Sequence, residues 1–178
     1  MSDENTHMKL AMQLLLVTSL AAPAIAEETK YAPDAAELLL TDACKTAKRE
    51  SKLVFVASGF KECGWCKILE KYHARPEVAQ VLTNYYVLVK IDTKYMPDGN
   101  AVFSKLANPG APSWVIITPD RKPIVDSYAE GENVGYPLEP KETEHYLKAL
   151  KKASPKITDA QLKTLAAAIK QAAGKKEG

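Results

Sequence analysis

The chain has 178 residues, 46% of them hydrophobic and 26% charged, and its formal net charge is only +2. That length is ordinary for about one domain, and the composition excludes a disordered chain, collagen and a coiled coil. A near-neutral balance with no basic run beyond Lys-Lys pairs excludes a dedicated nucleic-acid surface, and three cysteines are too few for a disulfide framework, so cysteine chemistry must come from a pair with one left over.

The N-terminal stretch reads separately. Residues 10–26 hold no charged side chain and follow Lys9 directly. The run has signal-peptide length and is too short and too polar to span a bilayer of about 30 Å. It ends in Ala24-Ile25-Ala26, small residues at the positions a signal peptidase reads, so cleavage after Ala26 is expected; an uncleaved membrane anchor is the alternative. Met8-Lys9 makes a better start than the acidic residues before it. Residues 1–26 are therefore taken as a cleaved signal peptide. The mature protein is expected in an oxidising compartment, periplasmic or secreted, without stable membrane association.

Pro33-Asp34 opens a helix to about residue 50, with Ala36, Leu39, Leu40, Ala43, Cys44 and Ala47 on one face. Leu53 to Ala57 is a short apolar run and reads as a buried strand. A helix starts at Cys63-Gly64-Trp65-Cys66, and another has Pro76 at its first position. The continuous β-branched run over 86–91 reads as a central strand. A polar loop over 93–100 and a short helix over 101–106 follow. Residues 113–118 and 123–127 flank the turn signal Pro119-Asp120-Arg121-Lys122 and read as a hairpin. Helices over 140–152 and 159–172 close the chain, the last announced by the capping box Thr158-x-x-Gln161. The alternation of helices and strands predicts an α/β fold.

Cys63-Gly64-Trp65-Cys66 sits where a strand passes through a loop into a helix. There the first thiol faces the positive end of the helix dipole and unpaired backbone N–H groups, which favour thiolate over thiol. Two intervening residues in a first turn let the second sulfur reach the first, so Cys66 can resolve a mixed disulfide formed by Cys63. A haem attachment would need His where Lys67 stands. A zinc site built from Cys63, Cys66, Cys44 and His73 or His145 lacks a second closely spaced pair. A purely structural disulfide is the remaining alternative.

On these residues the chain resembles secreted thioredoxin-fold proteins whose active-site loops read Cys-Gly-Trp-Cys-Lys after a Ser-Gly loop, over about residues 34–152. The resemblance implies a thioredoxin fold over 27–152, a central mixed sheet flanked by helices, with an additional C-terminal helix and short polar tail over 153–178. It implies that Cys63 is the exposed nucleophile and Cys66 the buried resolving thiol. Pro112, in Gly110-Ala111-Pro112-Ser113, would be the cis-proline against the disulfide, and the backbone of Ala111 would pair with a client chain. Gly64 and Trp65 complete the active-site loop, and Trp65 is expected to be exposed and able to touch a partner. No organic cofactor and no metal are implied beyond the Cys63–Cys66 couple itself.

This sequence departs from that family in three places. The strand over 53–57 carries none of the buried acid that helps deprotonate the resolving cysteine. Glu62 precedes Cys63 where Trp commonly stands and opposes the thiolate, while Lys61 and Lys67 favour it. Trp65 replaces a proline in a dipeptide that tunes a potential ranging over about −270 to −120 mV. Elsewhere Cys44 and Trp114 are expected in the core, His73 and His145 on the surface, and the loop over 94–99 beside the site. Leu162, Leu165, Ala166 and Ile169 form an apolar stripe on the last helix that must pack on the domain or on a partner. The expected activity is thiol–disulfide exchange with client proteins and a redox partner protein, leaning to reductase because the near-minimal fold carries no added dimerisation or helical domain. A copper-type metal-binding or partner-binding module, or a structural scaffold, is the alternative.

Overall fold

The computed structural model describes residues 31–174, so the expected signal peptide at 1–26 lies outside the described residues. Helix α1 (Ala35–Glu50) forms where Ala36, Leu40, Ala43, Cys44 and Ala47 recur on one face, and all five are buried. Its first turn is satisfied from a distant loop. Both carboxylate oxygens of Asp98 accept from the backbone N–H groups of Ala36 and Glu37 at 2.9 Å. Strand β1 (Leu53–Gly59) leads through the cysteine loop to α2 (Gly64–His73), α3 (Pro76–Leu82) and β2 (Tyr86–Asp92). Strands β1 and β2 are parallel, as a helical crossover requires, with Ala57 opposite Lys90. Helix α4 (Gly99–Ser104) precedes β3 (Ser113–Ile117), which pairs antiparallel with β1, and β4 (Pro123–Asp126) completes the order β2-β1-β3-β4. After the short hairpin of β5 (Tyr128–Ala129) and β6 (Glu132–Asn133) come α5 (Pro140–Ala153) and α6 (Asp159–Ala173). This mixed sheet with helices on both faces is the thioredoxin fold.

The period-2 alternation of the strands divides the core. Val54, Val56, Val115 and Ile117 face α1 and α4, where they meet Leu40 and Phe103. Phe55, Trp114 and Ile116 face the other helices, where they meet Tyr72, Tyr146 and Leu150. Trp114, Phe55 and Tyr146 are the centre of this second core, with ring centroids 5.5 Å apart for Phe55–Trp114 and 5.4 Å for Trp114–Tyr146. Trp114 and Cys44 are buried as expected.

Helix α6 packs on the domain. Leu165 and Ile169 are fully buried in the same core as Trp114, each contributing about 1.5–3 kcal/mol by burial. Tyr72 of α2 donates its hydroxyl to the Leu165 carbonyl at 3.3 Å, and Tyr136 donates to that of Ile169 at 2.5 Å. The capping box forms as predicted, with Thr158 Oγ1 accepting from the Gln161 N–H at 3.2 Å and Gln161 Oε1 accepting from the Thr158 N–H at 2.9 Å.

Three expectations are corrected. Strand β2 is not central: among the described residues it lies at the sheet edge. Its continuous apolar run reflects cover on both faces, Val87 and Val89 packing on one core and Leu88 on the other, not a neighbour on both sides. Helix α4 begins at Gly99 instead of residue 101, and only glycine fits there, because a Cβ would stand 2.3 Å from the Asp92 carbonyl oxygen. The β5–β6 hairpin was not anticipated. Its two-residue turn places Glu130 at φ 52° and Gly131 at φ 88°, the left-handed pair that joins twisted strands tightly.

Candidate functional site

Cys63 ends the β1–α2 loop as the N-cap of α2, and its Sγ accepts from the backbone N–H of Cys66 at 3.1 Å. The helix therefore presents Cys63 with an N–H donor and the positive end of its dipole, and its first turn holds no acidic side chain to cancel them. The two sulfurs are joined in a disulfide with Cα atoms 5.2 Å apart. Cys66 is 2% exposed. Cys63 is 8% exposed, so the expectation of an exposed nucleophile is corrected: its sulfur is covered by the bond to Cys66 and by the first-turn backbone, although it remains the more accessible of the pair. Gly59 makes room for this arrangement, since a Cβ there would lie 2.7 Å from Cys66 Sγ.

Ala111 and Pro112 come to the same place. The Ala111–Pro112 peptide bond is cis, Pro112 is buried beside Cys66, and Ala111 is exposed. A hydrogen-bonded chain of small polar residues, not anticipated from the sequence, holds this loop. Ser58 Oγ accepts from the Ser113 N–H at 3.1 Å and donates to the Gly110 carbonyl at 2.7 Å. Ser113 Oγ and Ser127 Oγ share a hydrogen bond of 2.9 Å, Ser127 Oγ donates to Asn133 Oδ1 at 2.7 Å, and Asn133 Nδ2 donates to the Pro112 carbonyl at 2.9 Å. Ser58, Ser113 and Ser127 are all buried, so each hydroxyl must find partners. The sequence signal was serines at strand ends inside apolar runs.

Trp65 is 49% exposed, as expected, and stacks on Tyr136 at 5.9 Å between ring centroids. Together with Ala111, Pro112, Asn133 and Leu138 these rings line a surface groove of about 350 Å³. A second groove, of about 300 Å³, shares Pro112 with the first and is lined by Ala57, Ser58, Cys66, Glu70, His73 and Lys90 among others. Glu70 and Lys90 form an ion pair across it.

The loop over 94–99 borders the site as expected. Tyr95 donates its hydroxyl to Glu62 Oε1 at 2.5 Å, and Lys94 Nζ lies 3.3 Å from Glu62 Oε2. The Tyr95 hydroxyl above all, with the Lys94 ammonium, pushes the Glu62 carboxyl down to about 2 despite some desolvation. Glu62 is thus ionised beside Cys63, with its charge bound to the neighbouring loop.

Both histidines correct the sequence reading. His73 is partly buried, its Nε2 3.3 Å from the Tyr146 hydroxyl and its ring edge-on to Phe55 at 5.1 Å, and desolvation pushes its pKa down to about 4. It stands seven residues after Cys66, on the inner face of α2, a spacing that could have revealed it. His145 is also partly buried, with Nε2 3.1 Å from the Asp126 carbonyl and its ring over Trp114. Cys44 sits in the other core, away from the pair, and burial raises its thiol pKa. Among the described residues no three His, Cys, Asp or Glu side chains gather in a way that could hold a metal ion, and no helix is long and apolar enough to cross a membrane.

Known proteins share parts of this chain. The uncharacterised protein B0495.5 of Caenorhabditis elegans is 32% identical over 89 residues, covering 47% of this chain and 12% of that protein. Spermatogenesis-associated protein 20 of Homo sapiens is 29% identical over 90 residues, again 47% of this chain and 12% of the relative. Among solved structures, a disulphide isomerase from Xylella fastidiosa Temecula1 is similar with a TM-score of 0.49 at 19% identity, covering 75% of this chain and 90% of that one. A thioredoxin from Thermus thermophilus is similar with a TM-score of 0.41 at 18% identity, covering 52% of this chain and 72% of that one. The family Thioredox_DsbH, described as a protein of unknown function (DUF255), matches residues 32–172, nearly all of the described fold, and the chain belongs to it.

Proposed function

We propose that the protein is a secreted thiol–disulfide oxidoreductase of the periplasm, which exchanges disulfides with client proteins through Cys63 and Cys66 and works as a reductase. The observation that carries the reading is the Cys63–Cys66 pair at the start of α2, with Cys63 Sγ accepting the Cys66 N–H beside Pro112. Cys63 attacks a client disulfide and Cys66 releases the client by attacking Cys63. The groove lined by Trp65, Ala111 and Tyr136 receives the client's backbone in an extended form. The apolar run over 10–26 and Ala24-Ile25-Ala26 support export. The Glu62 carboxylate before Cys63 is paired with Lys94 and Lys61, so its charge is largely offset and the reducing direction is decided by the potential of the couple.

Cysteine variants test the roles. Cys66→Ser should accumulate covalent mixed disulfides with clients in a periplasmic extract, and Cys63→Ser should trap none. Equal trapping by both, or by neither, would sink the assignment. Equilibration of the couple with glutathione should give a potential below about −220 mV; a value near that of the strong oxidants would reverse the direction. Tight copper binding by the reduced protein without exchange would replace the reading with a metal-binding one.

A further inference from the structure

Release of a client requires the Cys66 thiol to lose its proton, yet Cys66 is 2% exposed, and burial disfavours a charged thiolate. Strand β1 supplies no acid, since only Ala57 and Ser58 reach the groove beneath the sulfur, and the proline loop adds Pro112. The titratable side chains lining that groove are Glu70 and His73 from α2 and Lys90 from β2. His73 is neutral and turned to the Tyr146 hydroxyl. Lys90 is a cation engaged with Glu70. Glu70 lies one helical turn beyond Cys66 on the same face, and its side chain is 50% exposed, so its carboxylate joins the buried thiol's groove to solvent.

We propose that Glu70 is the proton acceptor for Cys66, and that Lys90, placed opposite the small side chain of Ala57, positions the carboxylate over the groove. The assignment rests on the exchange reaction proposed above. In the resolving step Cys66 S–H passes its proton across the groove to the Glu70 carboxylate. The thiolate then attacks Cys63 Sγ, the Cys63–Cys66 bond forms, and the bond from Cys63 to the client sulfur breaks. The client leaves as a thiolate and takes a proton from solvent, and Glu70 returns its own proton to solvent. Over the cycle the protein dithiol is oxidised to a disulfide and the client disulfide is reduced to two thiols.

Charge and proton transfer predict opposite outcomes for Glu70→Gln. Removing a carboxylate lowers the pKa of a nearby thiol and would by itself speed resolution; removing a proton acceptor slows it. The probe is the mixed aryl disulfide formed between Cys63 and Ellman's reagent, whose second chromophore is released when Cys66 resolves it. Glu70→Gln should slow that release roughly tenfold or more, Glu70→Asp should restore most of the rate, and in a Cys63→Ser background Glu70→Gln should shift the Cys66 thiolate titration to lower pH. Release by Glu70→Gln as fast as wild type, or a Cys66 titration indifferent to Glu70, overturns the proposal. If protein disulfides are not exchanged by the wild type while release and titration behave as stated, the client reading falls and the role of Glu70 stands.

Discussion

His73 ties the stability of the active-site helix to pH, with a sign fixed by burial. In the unfolded chain its imidazole titrates near the ordinary value of about 6.5, whereas in the folded protein desolvation holds it near about 4. Between these values the unfolded state binds a proton that the native state refuses, so stability is present in full above about pH 6.5 and is lost as pH falls. A displacement of that size corresponds to about 2–3 kcal/mol once partial exposure of the ring is allowed for, with about 1–2 kcal/mol gone by roughly pH 5. Urea unfolding of the oxidised protein across this window measures the loss, and His73→Phe removes the titrating group while keeping a ring edge-on to Phe55. The difference between wild type and variant should grow as pH falls from about 6.5 to 4 and stay flat above. A variant whose stability tracks the wild type through the whole window would show that His73 titrates normally and that the desolvation argument is wrong.

The site makes other results predictable. Gly59→Ala would drive a methyl to 2.7 Å from Cys66 Sγ and 3.0 Å from its Cβ, so it should destabilise the oxidised protein by about 1–3 kcal/mol in chemical denaturation; wild-type stability would mean that β1 and α2 can part without cost. Cys44, buried and with its thiol pKa raised, should resist alkylation in the reduced native protein while Cys63 is labelled, and react only on unfolding; mass spectrometry showing early Cys44 labelling would place it outside the core. Ile169→Ala should cost about 2–5 kcal/mol in thermal or urea unfolding, and a smaller loss would show that α6 is dispensable to the core.

The pair Cys63 and Cys66, the capped last helix and most element boundaries were legible because each rests on local chemistry, spacing on a helix or a reciprocal cap, whereas the place of Pro112 beside the pair came from the family resemblance. The position of β2 was not. An apolar run records which faces of a strand are covered and is silent about hydrogen-bonded neighbours, so Tyr86 to Ile91 reads the same at an edge as in the middle. Residue type alone puts His73 and His145 on the surface, although the first falls on the inner face set by Cys66 and Leu69. The network from Ser58 to Asn133 joins residues as much as 55 positions apart, and no local pattern announces a partner at that distance. Glu62 and Tyr95 were each visible, but the bond between them depends on how two loops meet.

The attachment of α6 to α2 bears on how the protein is made. Tyr72 reaches its acceptor in Leu165 across 93 positions of sequence, so on a chain emerging N-terminus first this tie of the cysteine helix forms only once the last helix has been delivered. Sheet pairing between β1 and β2 needs far less chain and can precede it. Until then the cysteine helix leans on Phe55 and Trp114 of the sheet and on Tyr146 of α5, while Gly59 and Pro112 already stand beside Cys66. Loss of the final residues would therefore leave the immediate surroundings of the cysteine pair in place and remove the outer tie of its helix.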